Sequence, residues 1–192
     1  MSKIYVATTS PRRIKLLRDF GFAASTLKPC MEHARTKDIK TFSIEKAKSK
    51  IECIEKDGII VGFDTIVAHG NEILEKPKNI DEARNTLMKL SDRWHEVITG
   101  MVFKENGRIR SYNVITRVKF IKITEKLLDI AFLRYNPLDK AGAYAIQEFS
   151  GIFVERIEGD YYNVVGLPLV RFYEVLRYDI GLDIDAIFQR GI

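Results

Sequence analysis

The sequence predicts an α/β protein with a mixed β-sheet flanked by helices, and three stretches carry that expectation. Ile4-Tyr5-Val6-Ala7 is a β-branched and aromatic run that feeds through Thr8-Thr9 into Ser10-Pro11, a strand entering a helix. Ile59-Ile60-Val61-Gly62-Phe63 is a short apolar run of the kind buried on both faces of a sheet. Asn106-Gly107 lies between two alternating runs and signals a hairpin, so part of the sheet must be antiparallel.

Each element has a local reason. Ser10 can accept from an unpaired amide of the first helical turn, and Pro11 suits the first helical position. Ile14, Leu17 and Phe20 recur at helical spacing, and Gly21 supplies a stop. Ala23 to Leu27 reads as extended, and a polar link follows. The next helix is expected to open at Thr41 or Ser43, with Ile44, Ala47, Ile51 and Ile54 on one face and Lys46, Lys48 and Lys50 largely solvated. Asp64 is expected at or near the carboxyl end of the Ile59–Phe63 strand. His69-Gly70-Asn71 then reads as a turn, and Ile73-Leu74 returns. Asn79 with Glu82 opens a helix in capping-box fashion, with Ala83, Leu87 and Leu90 facing the core. Trp94 to Phe103 and Ile109 to Ile123 form the long hairpin, and Thr124-Glu125 opens a helix to Leu133. Ile152 to Ile157 reads as a strand, Gly159 to Asn163 as a turn, and Pro168 as the first position of a closing helix.

Composition bounds the function. The chain has 192 residues, 46% hydrophobic and 30% charged, suited to one sizeable domain spanning 1–192. A net charge of +5 favours anionic partners but is too diffuse to predict a nucleic-acid groove. Cys30 and Cys53 suggest neither a disulfide framework nor a metal site, and read as small thiols of a reducing compartment. Met1 leads almost directly into the first strand, so no signal peptide is expected, nor any membrane span. The expected location is cytoplasmic.

Two arginines, Arg12 and Arg13, follow the helix start, where the dipole disfavours cations. An anion held between the guanidinium groups and the free amides resolves that conflict, and phosphate is the natural candidate. Asp64, beyond a central strand, is placed where α/β sheets put ligands. Asp139-Lys140-Ala141-Gly142 through Gln147 lacks both periods and has the composition of a polar ligand loop.

Together these segments resemble the Maf family of nucleoside triphosphate pyrophosphatases. Ser10-Pro11-Arg12-Arg13 matches its S-x-R-R signature, and Glu32 and Lys46-Ala47 match its Glu and K-A step. Val61-Gly62-Phe63-Asp64-Thr65 matches G-A-D-T, and Lys76-Pro77 matches K-P. Leu90-Ser91, His95-Glu96-Val97 and Thr99-Gly100 match its L-S-G-x-x-H-x-V-x-T-G segment. Asp139 to Gln147 and Tyr162 to Pro168 match the two C-terminal signatures. Phe63 replaces a small residue, Glu148 stands where glycine is usual, and Asp92-Arg93-Trp94 replaces G-R-T.

The resemblance implies an elongated fold with two lobes around a central cleft. It also implies hydrolysis of a nucleoside triphosphate between the α and β phosphates with Mg2+ or Mn2+, and often a homodimer. Nucleic acid and membrane are not expected partners. Asp64 is expected as general base and Glu32 as its partner in holding the metal, with Lys76 in the catalytic group. Ser10, Arg12, Arg13, Lys46, Thr65, Lys140 and Gln147 are expected to bind substrate. Asp139 is expected to add a ligand or orient Lys140, Glu148 to repel phosphate or pair with an arginine, and His95 to be structural. Arg12, Thr65 and Gln147 are the combination of the dTTP/UTP branch, and a glutamine amide suits the O4/N3 edge of uracil or thymine. The alternatives are a pyrophosphatase for ITP, XTP or 7-methyl-GTP, and a non-catalytic regulator of division or nucleic-acid binding.

Overall fold

A computed structural model describes residues 3–36 and 38–188. They form a mixed seven-stranded sheet of order β2-β1-β3-β5-β6-β7, with β4 pairing β3. The strands are β1 (Ile4–Ala7), β2 (Ala24–Leu27), β3 (Ile59–His69), β4 (Glu72–Leu74), β5 (Trp94–Glu105), β6 (Arg108–Phe120) and β7 (Val154–Glu158). The helices are α1 (Pro11–Asp19), α2 (Ile39–Ser49), α3 (Ile80–Leu90), α4 (Glu125–Phe132), α5 (Tyr161–Val165), α6 (Leu169–Glu174) and α7 (Ile184–Ile187). The α/β class with a mixed sheet is therefore as expected: β1 pairs parallel with β2 and β3, whereas β3–β4 and β6–β7 are antiparallel. By compactness the chain divides into one unit of residues 1–64, 99–114 and 166–192, and another of 65–98 and 115–165.

The first unit contains β1, β2, α1, α2, α6 and α7. Two glycines let α2 approach its strands. A Cβ on Gly62 would lie 2.1 Å from the Ala47 carbonyl oxygen, and one on Gly100 would lie 2.4 Å from the Ser43 carbonyl carbon. Helix and sheet backbones thus touch almost directly, and Ala7, Ala47, Ile51, Ile60 and Val102 fill the seam. Phe63 and Phe22 both pack against Phe172, with ring centroids 5.4 and 5.0 Å away.

The second unit buries Ala83, Leu87 and Leu90 of α3, Leu128 and Ala131 of α4, and Phe120 and Phe153 in one cluster. Asn79 caps α3 by accepting from the Glu82 amide at 2.8 Å, while the Glu82 carboxylate accepts from Lys78 N rather than from the cap itself. Asp92 adopts a left-handed φ of 56°, a conformation that explains why glycine is the usual residue of that motif. Aspartate tolerates it here because Lys119 donates to both its carboxylate and its carbonyl, and its own amide donates to Ile121 O.

Several sequence expectations are corrected. α2 opens at Ile39, not at Thr41 or Ser43, because Asp38 caps it by accepting from Thr41 N at 3.0 Å. β3 runs to His69, so Asp64 lies within a strand and not at its end. Phe149–Phe153 is a 3₁₀ turn that delays β7 to Val154, and the short helix Tyr161–Val165 begins inside the expected turn and runs beyond it. Ile14 and Phe20 are more than a third exposed, leaving Leu17 as the residue of that set that α1 buries. Cys30 and Cys53 are joined in a disulfide with Cα atoms 5.9 Å apart. Spacing alone gave no sign of it: Cys30 N donates to Lys50 O, and that bond brings the exit of β2 beside the end of α2.

Candidate active site

Asp64 owes its place to unequal strand lengths. The parallel ladder of β1 on β3 ends at Ala7 opposite Gly62, while β3 continues. Asp64 therefore lies two residues beyond the carboxyl end of the parallel pairing, although it is within β3. That is the position at which open α/β sheets bind ligands.

Around Asp64 the first unit gathers a compact charged group. Lys50, at the end of α2, is 6% exposed, and its ammonium reaches three oxygens. It lies 2.7 Å from Asp64 Oδ1, 3.0 Å from the Phe63 carbonyl oxygen and 3.1 Å from Glu32 Oε1. Lys46, one turn earlier, stands 3.9 Å from the other Glu32 oxygen. Glu32 is half exposed, on the segment between β2 and α2 that the Cys30–Cys53 bridge ties down. The structure thus places Glu32, Lys46 and Asp64 near one another and joins the two carboxylates through Lys50, a lysine that the sequence pattern places among the solvated ones. A signal for it existed. Position 50 follows Ala47 by three and precedes Ile51, so it belongs to the buried face of the helix.

α1 supplies the arginines. Ser10 caps the helix through a long 3.5 Å bond from Arg13 N, and its own amide donates to Thr8 Oγ1. Arg13 is buried, donates from Nε to Gly166 O at 2.6 Å, and places its guanidinium 5.7 Å above the Phe63 ring. The aromatic residue beside Asp64 therefore acts as a platform for this arginine. Burial lowers the Arg13 pKa to about 10; Asp64 opposes the shift, Arg12 adds to it, and Glu32 also opposes it. Arg13 remains charged at neutral pH and shares its field with both carboxylates. Arg12 is half-buried.

Thr65, Lys76, Lys140 and Gln147 belong to the second unit, as does Asp139. Lys76 and Gln147 are exposed. Lys140 is 4% exposed; its ammonium donates to Asn136 O at 2.8 Å and Asp139 Oδ1 at 2.7 Å and forms an ion pair with Glu148 Oε2 at 3.1 Å. Asp139 does orient Lys140, and Glu148 pairs with that lysine rather than with an arginine. The loop is strained at Ala143, whose φ is 62°. Tyr135 holds it by donating to Ala143 O, and Ala143 N donates to Lys140 O. His95 is structural in its surroundings: buried, 2.8 Å from the Tyr144 hydroxyl, with its pKa pulled down to about 3 first by burial and then by His69.

Among the described residues no group of three or more His, Cys, Asp and Glu is arranged to hold a metal ion. Glu32, Asp64 and the Phe63 carbonyl still offer hard oxygens around one point. Mg2+ and Mn2+ are held in this way where one or two carboxylates share the ion with water and substrate phosphates. The donor set fits such an ion. No helix among the described residues is long and apolar enough to cross a membrane.

The chain is similar to the dTTP/UTP pyrophosphatase of Thermosipho melanesiensis, 45% identical over 90% of this chain and 96% of that protein. It is 40% identical to the dTTP/UTP pyrophosphatase of Clostridium novyi, over 95% of this chain and all of that protein. With the Thermotoga maritima dTTP/UTP pyrophosphatase the identity is 37%, over 93% and 90%. The family model described as Maf-like protein matches residues 3–178, and the chain belongs to that family.

Proposed function

We propose that the protein is a dTTP/UTP pyrophosphatase that hydrolyses its substrate to the nucleoside monophosphate and pyrophosphate, removing nucleotides in a house-cleaning role. The observation that carries the reading is the convergence of Asp64 and Glu32 on one point just past the parallel ladder. Relatives that match nearly the whole chain carry the same activity in their names. Asp64 serves as general base: it takes a proton from water as the water oxygen bonds to the α phosphorus and the α–β bridging bond breaks. Arg12, Arg13 and Lys46 offset the triphosphate charge, and Ser10 fixes the helix start that presents the arginines. Lys76 joins the catalytic group, Thr65 and Gln147 select the pyrimidine, and Lys140 orders the Gln147 loop. When bound, Mg2+ or Mn2+ would neutralise phosphate charge, with Glu32 and Asp64 as its protein ligands. Residues 1–192 act as one functional domain, cytoplasmic and homodimeric, with no nucleic-acid partner.

The test is pyrophosphate release from a nucleotide panel with Mg2+ or Mn2+, for the wild type and Asp64→Asn. The expected result is preference for dTTP and UTP, with kcat lowered about 10²- to 10⁴-fold in the variant. Preference for ITP, XTP or 7-methyl-GTP overturns the substrate assignment. Release unchanged in Asp64→Asn overturns the base, and no release from any nucleotide overturns the enzymatic reading.

A further inference from the structure

We propose that Lys50 is a built-in cation of this site, which keeps the acidic pair closed by occupying the oxygens a divalent ion would take. The inference rests on the reading of Glu32 and Asp64 as metal ligands. The Lys50 ammonium donates to Asp64 Oδ1 and to the Phe63 carbonyl and forms an ion pair with Glu32 Oε1 at 3.1 Å, so three oxygens surround it. Two of those oxygens belong to the carboxylates, and the third is the Phe63 carbonyl. A divalent ion bound there must therefore displace Lys50 or share the carboxylates with a like charge a few ångströms away. Either course weakens binding of the bare ion, before any substrate phosphate adds its own charge.

The fold gives the lysine no easy retreat. Its stem is buried, and its backbone is held by the bonds from Lys50 N to Lys46 O and from Cys30 N to Lys50 O. Gly62 lets the α2 backbone come so near β3 that a four-carbon side chain reaches the strand. Lys50 is thus a positioning residue, holding Glu32 and Asp64 around one point. It also makes metal loading depend on the triphosphate that brings the ion in.

The test is Mn2+ binding without nucleotide, by calorimetry, for the wild type, Lys50→Met and Lys50→Met/Asp64→Asn, each checked for folding by circular dichroism. Lys50→Met is expected to bind one Mn2+ per chain at least about tenfold more tightly than the wild type, and the double variant is expected to lose that binding. A purely structural lysine would not increase metal affinity on removal. Equal or weaker binding by Lys50→Met overturns the inference while leaving the metal ligands as assigned. No measurable Mn2+ binding by Lys50→Met, or full retention in the double variant, overturns the ligand assignment and the inference with it. If the methionine variant does not fold, Lys50→Gln, neutral but still a donor, is compared in the same way.

Discussion

Gly62→Ala tests the link between the sequence of the central strand and the geometry of the site. The added Cβ would fall 2.1 Å from the Ala47 carbonyl oxygen, 3.1 Å from its carbon and 3.0 Å from Ile51 Cγ2. Ordinary contact is about 3.5 Å, so α2 must retreat by roughly 1.4 Å. Both sides of the clash include backbone, and no rotamer change can relieve it. Overpacking of this kind costs about 3 kcal/mol, the upper end of the usual range, which for a chain this long lowers Tm by about 6–12 °C. The same retreat lengthens the 2.7 Å contact between Lys50 and Asp64 beyond hydrogen-bond range. Folding is measured by urea and thermal unfolding, and turnover by pyrophosphate release below the melting range. A variant with wild-type Tm and wild-type turnover would refute the close docking of α2 and the argument that it sets the site.

Two further outcomes are expected. His95 is buried and neutral with a pKa of about 3, against about 6.5 when unfolded, so the unfolded chain binds the extra proton between those values. Its contribution is complete above pH 6.5 and is lost as pH falls, by roughly 3 kcal/mol at pH 4. Urea melts at pH 7 and pH 4 should show that loss, and His95→Gln should remove most of it; an identical pH slope in the variant would exclude His95 as the source. The Cys30–Cys53 bridge spans a sequence separation of 23 residues, a loop for which closure stabilises by about 3 kcal/mol. Dithiothreitol, or paired Cys30→Ser and Cys53→Ser, should then lower Tm by about 6–12 °C, and an unchanged melting curve would argue against that contribution.

Local chemistry was legible wherever one turn or one period determines the outcome. Ser10-Pro11, Asn79 with Glu82, Thr124 and Asn106-Gly107 each act within four residues, and each forms the start or turn it signals. The acidic and basic candidates were likewise visible as residue types in order along the chain. The sequence did not show what those side chains meet. Lys50 looked solvated because its neighbours on the helix are lysines, yet its environment is set by the approach of α2 to Gly62, a residue twelve positions away. Cys30 and Cys53 carry no spacing signal, and their bridge depends on the exit of β2 meeting the end of α2. Lys140 is expected from the sequence among the substrate-binding cations, with Asp139 beside it, whereas the fold also brings the Asn136 carbonyl and the Glu148 carboxylate to its ammonium.

By itself, then, the sequence determined the α/β class, the helix caps, the hairpin and the inventory of charged groups, because these follow from backbone preferences and short-range periodicity. Only the tertiary structure decided that Asp64 lies beyond a ladder ended by the short strand beside it, and that one buried ammonium closes the acidic pair. Those outcomes depend on contacts between elements distant in sequence, where a few tenths of an ångström determine which charge meets which.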